Sequence, residues 1–393
     1  MTAASVSSNT STPAVDAVFM DRALDLAARG VALASPNPMV GAVLVRDGRI
    51  VGEAFHRYEG VRHAEVIAVE SAGRDAARGA TLYINLEPCC HTGRTAPCTQ
   101  AVIAAGITRV VAAMTDPNPK VAGRGFRQLR AAGIDVSTGL REAEARRLNE
   151  AFAKWTVSRE PFVTLKSALT LDGQLVLPHL GKRARPVPRS RKDRWISSPE
   201  SRAEVQLMRH ASDALLTGIG TVLGDDPLLS DRTGLPRRRK LLRVVMDSRL
   251  RLPLRSKLVC SADHDVLVFT RAREDSPKAR ALRRAGVEVV RIGGRGTRPD
   301  LRAVIAELGR REILSVLLEA GATLNSAAIA AGIVDKMRVF LAPKVAGFAG
   351  KISGAFPASN GLRAAQELQS VTIKQFGPDF ALEGYLHDVY RTR

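Results

Sequence analysis

A histidine, a glutamate and two cysteines near the start of the chain have the types and order of a zinc-dependent hydrolytic site. His63 is followed two positions later by Glu65, and Cys89 and Cys98 lie downstream. Zinc binds imidazole nitrogen and thiolate sulfur, and three protein ligands leave a fourth position for water. The metal lowers the pKa of that water, while a glutamate that is not a ligand shuttles the proton. The pattern therefore predicts hydrolytic deamination, with Glu65 catalytic and His63, Cys89 and Cys98 as zinc ligands.

A structural zinc site is the alternative, because closely spaced cysteines often hold one. Such sites are normally closed by four ligands, and only three good candidates occur here in order, although Cys90 and His91 stand beside Cys89. We assign Cys89 as the ligand because it directly follows a proline. The spacing departs from the general deaminase signature Pro-Cys-x-x-Cys, since eight residues separate Cys89 from Cys98.

Length and composition limit the class of protein. A chain of 393 residues is too long for one ordinary core, which predicts two domains. No apolar run approaches the ~20 residues of a membrane span, and residues 1–15 lack the features of a signal peptide. Four cysteines, two of them assigned to zinc, argue against a disulfide framework and predict a cytoplasmic location.

The net charge of +20 includes two basic runs, at residues 182–194 and 237–240. Such runs can bind nucleic-acid phosphates. They contain no interleaved aromatic residues, and Pro186 and Pro188 suit an exposed loop. These features favour solvated loops that steer substrate, with a nucleic-acid site as the alternative.

Strand and helix patterns alternate, which predicts an α/β architecture with largely parallel strands. His63 and Cys98 would then lie at helix starts, where free backbone N–H groups favour an oxyanion. We expect a flexible tail over 1–15, a three-layer domain over 16–160, and a second domain over 161–393. The expected elements of the first domain are a helix over 17–30, strands over 40–46, 50–55, 80–85 and 108–113, helix starts near 63 and 98, a helix over 121–132, and a helix and connector over 141–160.

Two glycine-containing turns in the second half indicate a nucleotide phosphate. A strand over 213–217 precedes Gly218 and Gly220, and a strand over 313–319 precedes Gly321. Glycines between a strand and a helix let backbone amides approach a phosphate. The turns do not have the Rossmann pattern, and either one alone is more often a simple connection. Together, the two turns support a nucleotide-binding site and simple connections equally.

The segment 87–98, Glu-Pro-Cys-Cys-His-Thr-Gly-Arg-Thr-Ala-Pro-Cys, resembles the long-loop zinc motif of the pyrimidine deaminases of riboflavin biosynthesis. Residues 35–41, Ser-Pro-Asn-Pro-Met-Val-Gly, resemble the substrate loop of that family, and residues 116–125 match a further segment. The family commonly has a serine where Cys90 stands, so that either thiol can compete for the metal. The resemblance implies a cytidine-deaminase-like α/β/α zinc domain.

Residues 165–173, 195–198, 225–232 and 319–321 resemble the reductase half of the bifunctional members of this family. The resemblance implies a dihydrofolate-reductase-like α/β domain that uses NADPH, and a homo-oligomer. It also implies the substrate, a diaminohydroxy-phosphoribosylamino-pyrimidine, which is first deaminated and then reduced from a ribosyl to a ribityl compound. No membrane partner is implied.

The resemblance further implies contact residues. In the deaminase half, Asn37, His91 and Arg94 would bind substrate, with ordinary loop polarity an equal alternative for the last two. The implied NADPH contacts are Leu169, Trp195, Thr221, Asp225, Gly321, Ala322, Thr323, Leu324, Asn325, Ser326 and Ala327. The implied reductase substrate contacts are Arg209 and Arg232, whose guanidinium forks match a phosphate, together with Asp193, Leu229 and Glu319.

One segment departs from the family. Between Gly173 and Trp195 the family usually has a short connection, whereas this chain has a basic, proline-bearing insertion. The insertion can gate the reductase site, change cofactor affinity or be inert surface. Two other functions therefore stay open: a zinc deaminase whose second domain no longer reduces, and a nucleic-acid base deaminase with a basic second half.

Overall fold

The structure is a computed structural model that describes residues 13–92, 96–175, 195–294, 296–346 and 365–390. The chain forms two compact units, and the boundary between them along the sequence falls between Val157 and Ser158. Arg94, Asp193 and the basic run 182–194 lie outside the described residues. Within the described ranges, no helix is both long and apolar enough to cross a membrane.

The first unit is built on a five-stranded sheet in the order β2-β1-β3-β4-β5. Its elements are α1 (Pro13–Ala28), β1 (Gly41–Arg46), β2 (Arg49–Phe55), α2 (Ala64–Ala72), α3 (Arg74–Ala77), β3 (Thr81–Ile84), α4 (Cys98–Ala104), β4 (Arg109–Ala112), α5 (Arg124–Ala131), β5 (Asp135–Thr138) and α6 (Glu142–Ser158). The first helix begins earlier than the sequence predicts, and β5 was not predicted.

The sheet is mixed rather than largely parallel. β1 pairs antiparallel with β2 and β3, whereas β3, β4 and β5 run parallel. The antiparallel β1–β2 pair follows from the Asp47-Gly48 turn, in which both residues have positive φ (50° and 72°), as a two-residue hairpin requires.

Helices pack directly on the sheet backbone because glycines remove the intervening side chains. A Cβ on Gly41 would lie 2.1 Å from the Ala23 carbonyl oxygen of α1, and one on Gly52 would lie 2.3 Å from the Ala68 carbonyl oxygen of α2. Even an alanine at either position would push a helix off the sheet. The close fit of α2 matters for function, because His63 and Glu65 lie at the start of that helix.

The second unit is built on a nine-stranded sheet in the order β10-β9-β8-β7-β11-β6-β12-β14-β13. Its strands are β6 (Phe162–Thr170), β7 (Ala214–Gly218), β8 (Leu242–Met246), β9 (Val266–Thr270), β10 (Val287–Arg291), β11 (Ser315–Glu319), β12 (Lys336–Ala342), β13 (Gln369–Phe376) and β14 (Asp379–Tyr385). Its helices are α7 (Pro199–Ala211), α8 (Ile219–Asp225), α9 (Lys257–Cys260), α10 (Pro277–Arg284), α11 (Leu301–Arg310) and α12 (Ala322–Ala330).

In this order the neighbouring strands from β10 to β12 pair in parallel, whereas β14 pairs antiparallel with both β12 and β13. Carboxyl ends of neighbouring parallel strands meet at one sheet edge, where α/β proteins bind ligands. β7 and β11 are adjacent and lead into α8 and α12. The two predicted glycine turns therefore lie side by side at that edge.

Candidate functional site

The three predicted zinc ligands converge in the first unit. His63 is the N-cap of α2, and Cys98 is the first residue of α4. His63 Nδ1 lies 3.1 Å from Cys98 Sγ and 3.5 Å from Cys89 Sγ, and the three potential ligand atoms lie within 4.8 Å of one another. One imidazole nitrogen and two sulfurs form a donor set that suits zinc.

The two cysteines differ in their readiness to ionise. Hydrogen bonds from the Cys98 thiol, His63 and the Cys98 backbone N–H outweigh burial and lower the pKa of Cys89 to about 4. The same hydrogen bond between the thiols, together with burial, raises the pKa of Cys98. One thiolate is therefore favoured by the protein alone. A divalent cation supplies the charge that holds both sulfurs as thiolates.

Glu65 lies in the first turn of α2 and is 3% exposed. Burial is the main cause that raises the pKa of its carboxyl, against the opposing charge of His63. Its Oε2 has no hydrogen-bond partner among the described residues. A buried carboxyl with a raised pKa and an unpaired oxygen has the properties of a proton carrier.

His56 was missed by the sequence analysis and lies against His63, one of the predicted zinc ligands. Its ring packs edge-on to His63, with centroids 5.2 Å apart, and its Nδ1 is 3.1 Å from the Arg62 carbonyl oxygen. A carbonyl only accepts, so Nδ1 carries the proton and Nε2 accepts from Asn37 Nδ2 at 3.0 Å. Asn37 is thereby held beside the centre. No sequence signal marks His56 beyond its position just after β2.

A buried carboxylate holds the segment that carries Cys89. Glu87 is 3% exposed. Its two oxygens accept the backbone N–H groups of Asp116, Gly123, Gly125 and Phe126 at 2.8–3.3 Å. Gly125 is required by the close approach, because a Cβ there would lie 2.2 Å from the Pro88 carbonyl oxygen.

The remaining residues of the zinc loop are less enclosed. Cys90 is partly exposed, and it does not belong to the group of potential metal ligands found in the described part of the chain. Burial raises the pKa of its thiol, which opposes thiolate formation. His91 is exposed. Beside the loop lies a cleft of about 380 Å³, which is lined by Arg62, His63, Val66, Ala96, Pro97, Gln100, Ala101 and Ala104.

In the second unit, Arg209 and Glu319 form a bidentate ion pair. Arg209 Nε and Nη2 lie 2.7 and 3.0 Å from the two carboxylate oxygens, and Arg209 Nη1 donates to the Ser230 carbonyl at 3.2 Å. Burial would raise the pKa of Glu319, but the Arg209 hydrogen bonds and the charges of Lys166, Arg209 and Arg232 outweigh it and lower the pKa.

Lys166 was also missed. Lys166 lies opposite Glu319 on the neighbouring strand, because these two residues are partners in the register of the parallel strands β6 and β11. Burial is the first cause that lowers the pKa of its amine, against the charge of Glu319, which raises it. The signal that could have revealed Lys166 is its place in a central strand, where it stands between the buried positions Leu165 and Ser167. The lowered pKa makes this amine a candidate for proton exchange.

The predicted NADPH residues follow the same sheet edge. Gly218 and Gly321 begin α8 and α12 without a side-chain cap, and no described atom lies within 4 Å of a Cβ built on Gly220 or Gly321. By contrast, α7, α9, α10 and α11 begin with serine or aspartate caps. The open glycine starts suit phosphate oxygens.

The side chains of these predicted contacts differ in exposure. Trp195 is 55% exposed and stacks on the Arg202 guanidinium at 5.2 Å, whereas Leu169 is 8% exposed in β6. Asn325 and Ser326 are fully buried in α12, and Asn325 Oδ1 and Ser326 Oγ have no partner among the described residues.

Comparison with known proteins gives both halves a family. Residues 13–114 match the model of the cytidine and deoxycytidylate deaminase zinc-binding region, and residues 161–382 match the RibD C-terminal domain. The Escherichia coli riboflavin biosynthesis protein RibD is 41% identical to this chain, with 93% of this chain and 98% of that protein covered. This chain belongs to the RibD family.

Solved structures agree. The Acinetobacter baumannii RibD structure matches this chain with a TM-score of 0.79 and 36% identity. The match covers 95% of this chain and 99% of the Acinetobacter baumannii chain. A Thermotoga maritima structure, with a TM-score of 0.79 and 33% identity over the same shares, is named a diaminohydroxyphosphoribosylaminopyrimidine deaminase/5-amino-6-(5-phosphoribosylamino)uracil reductase.

Membership of the RibD family confirms the predicted fold class, a deaminase-like zinc domain followed by a reductase domain. It also confirms an enzyme of riboflavin biosynthesis with deaminase and reductase activities, and zinc and NADPH as cofactors. The residues present fit both cofactors. His63, Cys89 and Cys98 supply a zinc donor set, and the uncapped starts of α8 and α12 suit the cofactor phosphates.

Proposed function

We propose that this chain performs two consecutive reactions on one pyrimidine ribotide. The first unit hydrolytically deaminates the diaminohydroxy-phosphoribosylamino-pyrimidine, and the second reduces the ribosyl chain with NADPH. The presence in one chain of the His63, Cys89 and Cys98 cluster beside Glu65, and of the Arg209–Glu319 pair at the glycine turns, carries this proposal.

In the deaminase, His63, Cys89 and Cys98 would hold the zinc ion, which when bound acts as a Lewis acid and lowers the pKa of a water ligand. Because its buried carboxyl has a raised proton affinity, Glu65 takes one proton from the attacking water and passes it to the ring nitrogen. It then takes the second proton from the same oxygen and passes it to the leaving amine. Asn37, held through its amide nitrogen by His56, offers its amide oxygen to the pyrimidine.

In the reductase, the Glu319 carboxylate accepts a hydrogen bond from a hydroxyl of the ribosyl chain, since its interactions with Arg209 and Lys166 keep it ionised. Lys166 donates the proton that a carbonyl oxygen needs when hydride reaches its carbon. Arg232, with the remaining N–H groups of Arg209, binds the phosphate. The other proposed substrate contacts of the reductase are Leu229 and Asp193, whereas His91 and Arg94 are proposed substrate contacts of the deaminase. The proposed NADPH contacts remain Leu169, Trp195, Thr221, Asp225 and residues 321–327.

The basic run at 237–240 gives no support to a nucleic-acid deaminase. Arg237 pairs with Asp231 at 2.8 Å, and Lys240 pairs with Asp263. Arg239 lies 3.4 Å from an oxygen of Asp213. Charges that are neutralised within the protein contribute little to phosphate binding.

The test is a coupled assay on the diaminopyrimidine ribotide that follows ammonia release and NADPH oxidation together, with and without a zinc chelator. We expect both signals, with oxidation lagging behind ammonia, and both lost on chelation because the reductase then has no substrate. Supplying the deaminated ribotide should restore oxidation in the presence of the chelator. Ammonia release without oxidation would overturn the second half of the proposal, and neither signal would overturn both.

The domain limits, location and assembly are also proposals. We propose functional domains over 16–160 and 161–393; most of the tail predicted over 1–15 lies outside the described residues, and residues 13–15 belong to α1. The enzyme is proposed to be cytoplasmic with its four cysteines reduced, as all four are free here. We also propose a homo-oligomer that pairs through β13, because this edge strand exposes Val371 and Ile373 by 48% and 66%. An Ile373→Lys variant should sediment as a smaller species, and an unchanged mass would exclude this edge.

A further inference from the structure

One face of α7 holds the loop that carries Arg232. Gln206, Arg209 and His210 are spaced i, i+3 and i+4, so they lie on the same side of the helix. They contact three successive loop residues: Gln206 Oε1 accepts from the Arg232 N–H at 3.0 Å, Arg209 Nη1 donates to the Ser230 carbonyl at 3.2 Å, and His210 Nδ1 lies 2.9 Å from Asp231 Oδ2.

Asp231 is the centre of this arrangement. Its carboxylate accepts the backbone N–H and hydroxyl of Thr233 and a guanidinium N–H of Arg237 at 2.8–2.9 Å, besides the contact with His210. Burial would raise the pKa of Asp231, but these hydrogen bonds outweigh it and lower the pKa to about 2. The group is therefore a carboxylate that only accepts, and His210 Nδ1 donates to it.

The loop needs such support because its backbone is not relaxed. Leu229 has a φ of 55°, a backbone angle that residues other than glycine rarely adopt. Arg232 is exposed, and its charge is one of those that lower the pKa of Glu319. Its backbone N–H donates to Gln206 Oε1, so the position of Arg232 depends on how the loop is held. A small shift of residues 229–231 would move the Arg232 guanidinium relative to Glu319.

We propose that His210 is a positioning residue of the reductase phosphate subsite: it fixes Asp231 against α7 and so sets where Arg232 meets the phosphate of the substrate. The inference rests on the proposed reductase function. It adds a residue that does not touch the substrate but decides how well the phosphate is recognised. Gln206 acts in the same way through the backbone of Arg232.

The test compares His210→Leu with His210→Asn in the full, zinc-loaded chain. Asparagine keeps an N–H donor at the position of Nδ1, whereas leucine keeps the approximate volume and removes the donor. We expect His210→Leu to raise the KM for the deaminated ribotide roughly tenfold, with kcat and the KM for NADPH within about twofold. His210→Asn should stay close to wild type. With the dephosphorylated substrate, wild type and His210→Leu should have the same KM.

The chain supplies its own controls. Leu207→Gln, on an exposed position of the same helix, should change nothing, and ammonia release by the first unit reports intact protein. Gln206→Leu removes a different contact to the loop and should give the same change in KM. Wild type that fails to oxidise NADPH would refute the proposed function instead. An unchanged KM in His210→Leu, an increase that His210→Asn shares, or one that persists without the phosphate would overturn the inference.

Discussion

Arg209 and Glu319 face each other across the carboxyl edge of the second sheet as a two-point ion pair, with side chains that are each only 12% exposed. The family resemblance implied that both residues contact the substrate, with Arg209 on its phosphate. Their contact means that neither can be changed alone without leaving a buried, unpaired charge, which costs several kcal/mol. The pair is therefore a fixed part of the site.

Arg209→Lys tests this pairing. Lysine keeps the charge but cannot place two N–H groups on one carboxylate. We expect the kcat/KM of NADPH oxidation to fall roughly 10- to 100-fold, equivalent to one or two charge-assisted hydrogen bonds. Ammonia release should not change. Steady-state assays of both activities on one preparation give the answer, and Arg284→Lys, at an exposed position of α10, is the matched control. Loss of both activities would indicate misfolding rather than a local effect.

The residues that form the candidate metal cluster could be predicted from the sequence, whereas the groups that position them could not. His63, Glu65 and Cys98 lie in short motifs whose spacing and helix starts are local properties. The pairing of Lys166 with Glu319 depends on the register of two strands that are far apart in sequence, and no local pattern encodes it. The contact of His56 with His63 likewise depends on how β2 and α2 pack.

Cys90 and Cys89 should differ sharply in metal binding. Cys89 Sγ lies within 4.8 Å of the potential ligand atoms of His63 and Cys98, and Cys90 lies outside that cluster. We expect Cys90→Ser to keep one zinc ion and nearly full deamination, and Cys89→Ser to lose most of its zinc and its ammonia release. Metal analysis of both variants after dialysis is the measurement. Zinc lost from Cys90→Ser but retained in Cys89→Ser would reverse the assignment.

Glu87 should stabilise the first unit without touching the metal. In Glu87→Gln, the carboxamide nitrogen would replace an oxygen that accepts two backbone N–H groups, and each unsatisfied buried group costs about 1–3 kcal/mol. We expect the free energy of unfolding to fall by roughly 2–6 kcal/mol, since two groups lose their acceptor. Denaturant unfolding measures this, and the exposed Glu59→Gln is the control. Equal stability of the two variants would show that the loop has other support.

Asp116 should make the stability of the first unit fall as the pH rises. Burial is the main cause that raises the pKa of its carboxyl to about 7, whereas an unfolded aspartate titrates near pH ~4. Between these values the folded state binds the extra proton, so its stability is greatest below pH ~4, decreases through this window and levels off above pH ~7. The whole decrease is on the order of 4 kcal/mol, because each pKa unit corresponds to about 1.4 kcal/mol. Asp116→Asn cannot ionise and should flatten this part of the profile. Hydrogen exchange of β3 to β5 at several pH values measures it, and parallel profiles for the two proteins would show that Asp116 does not titrate in this window.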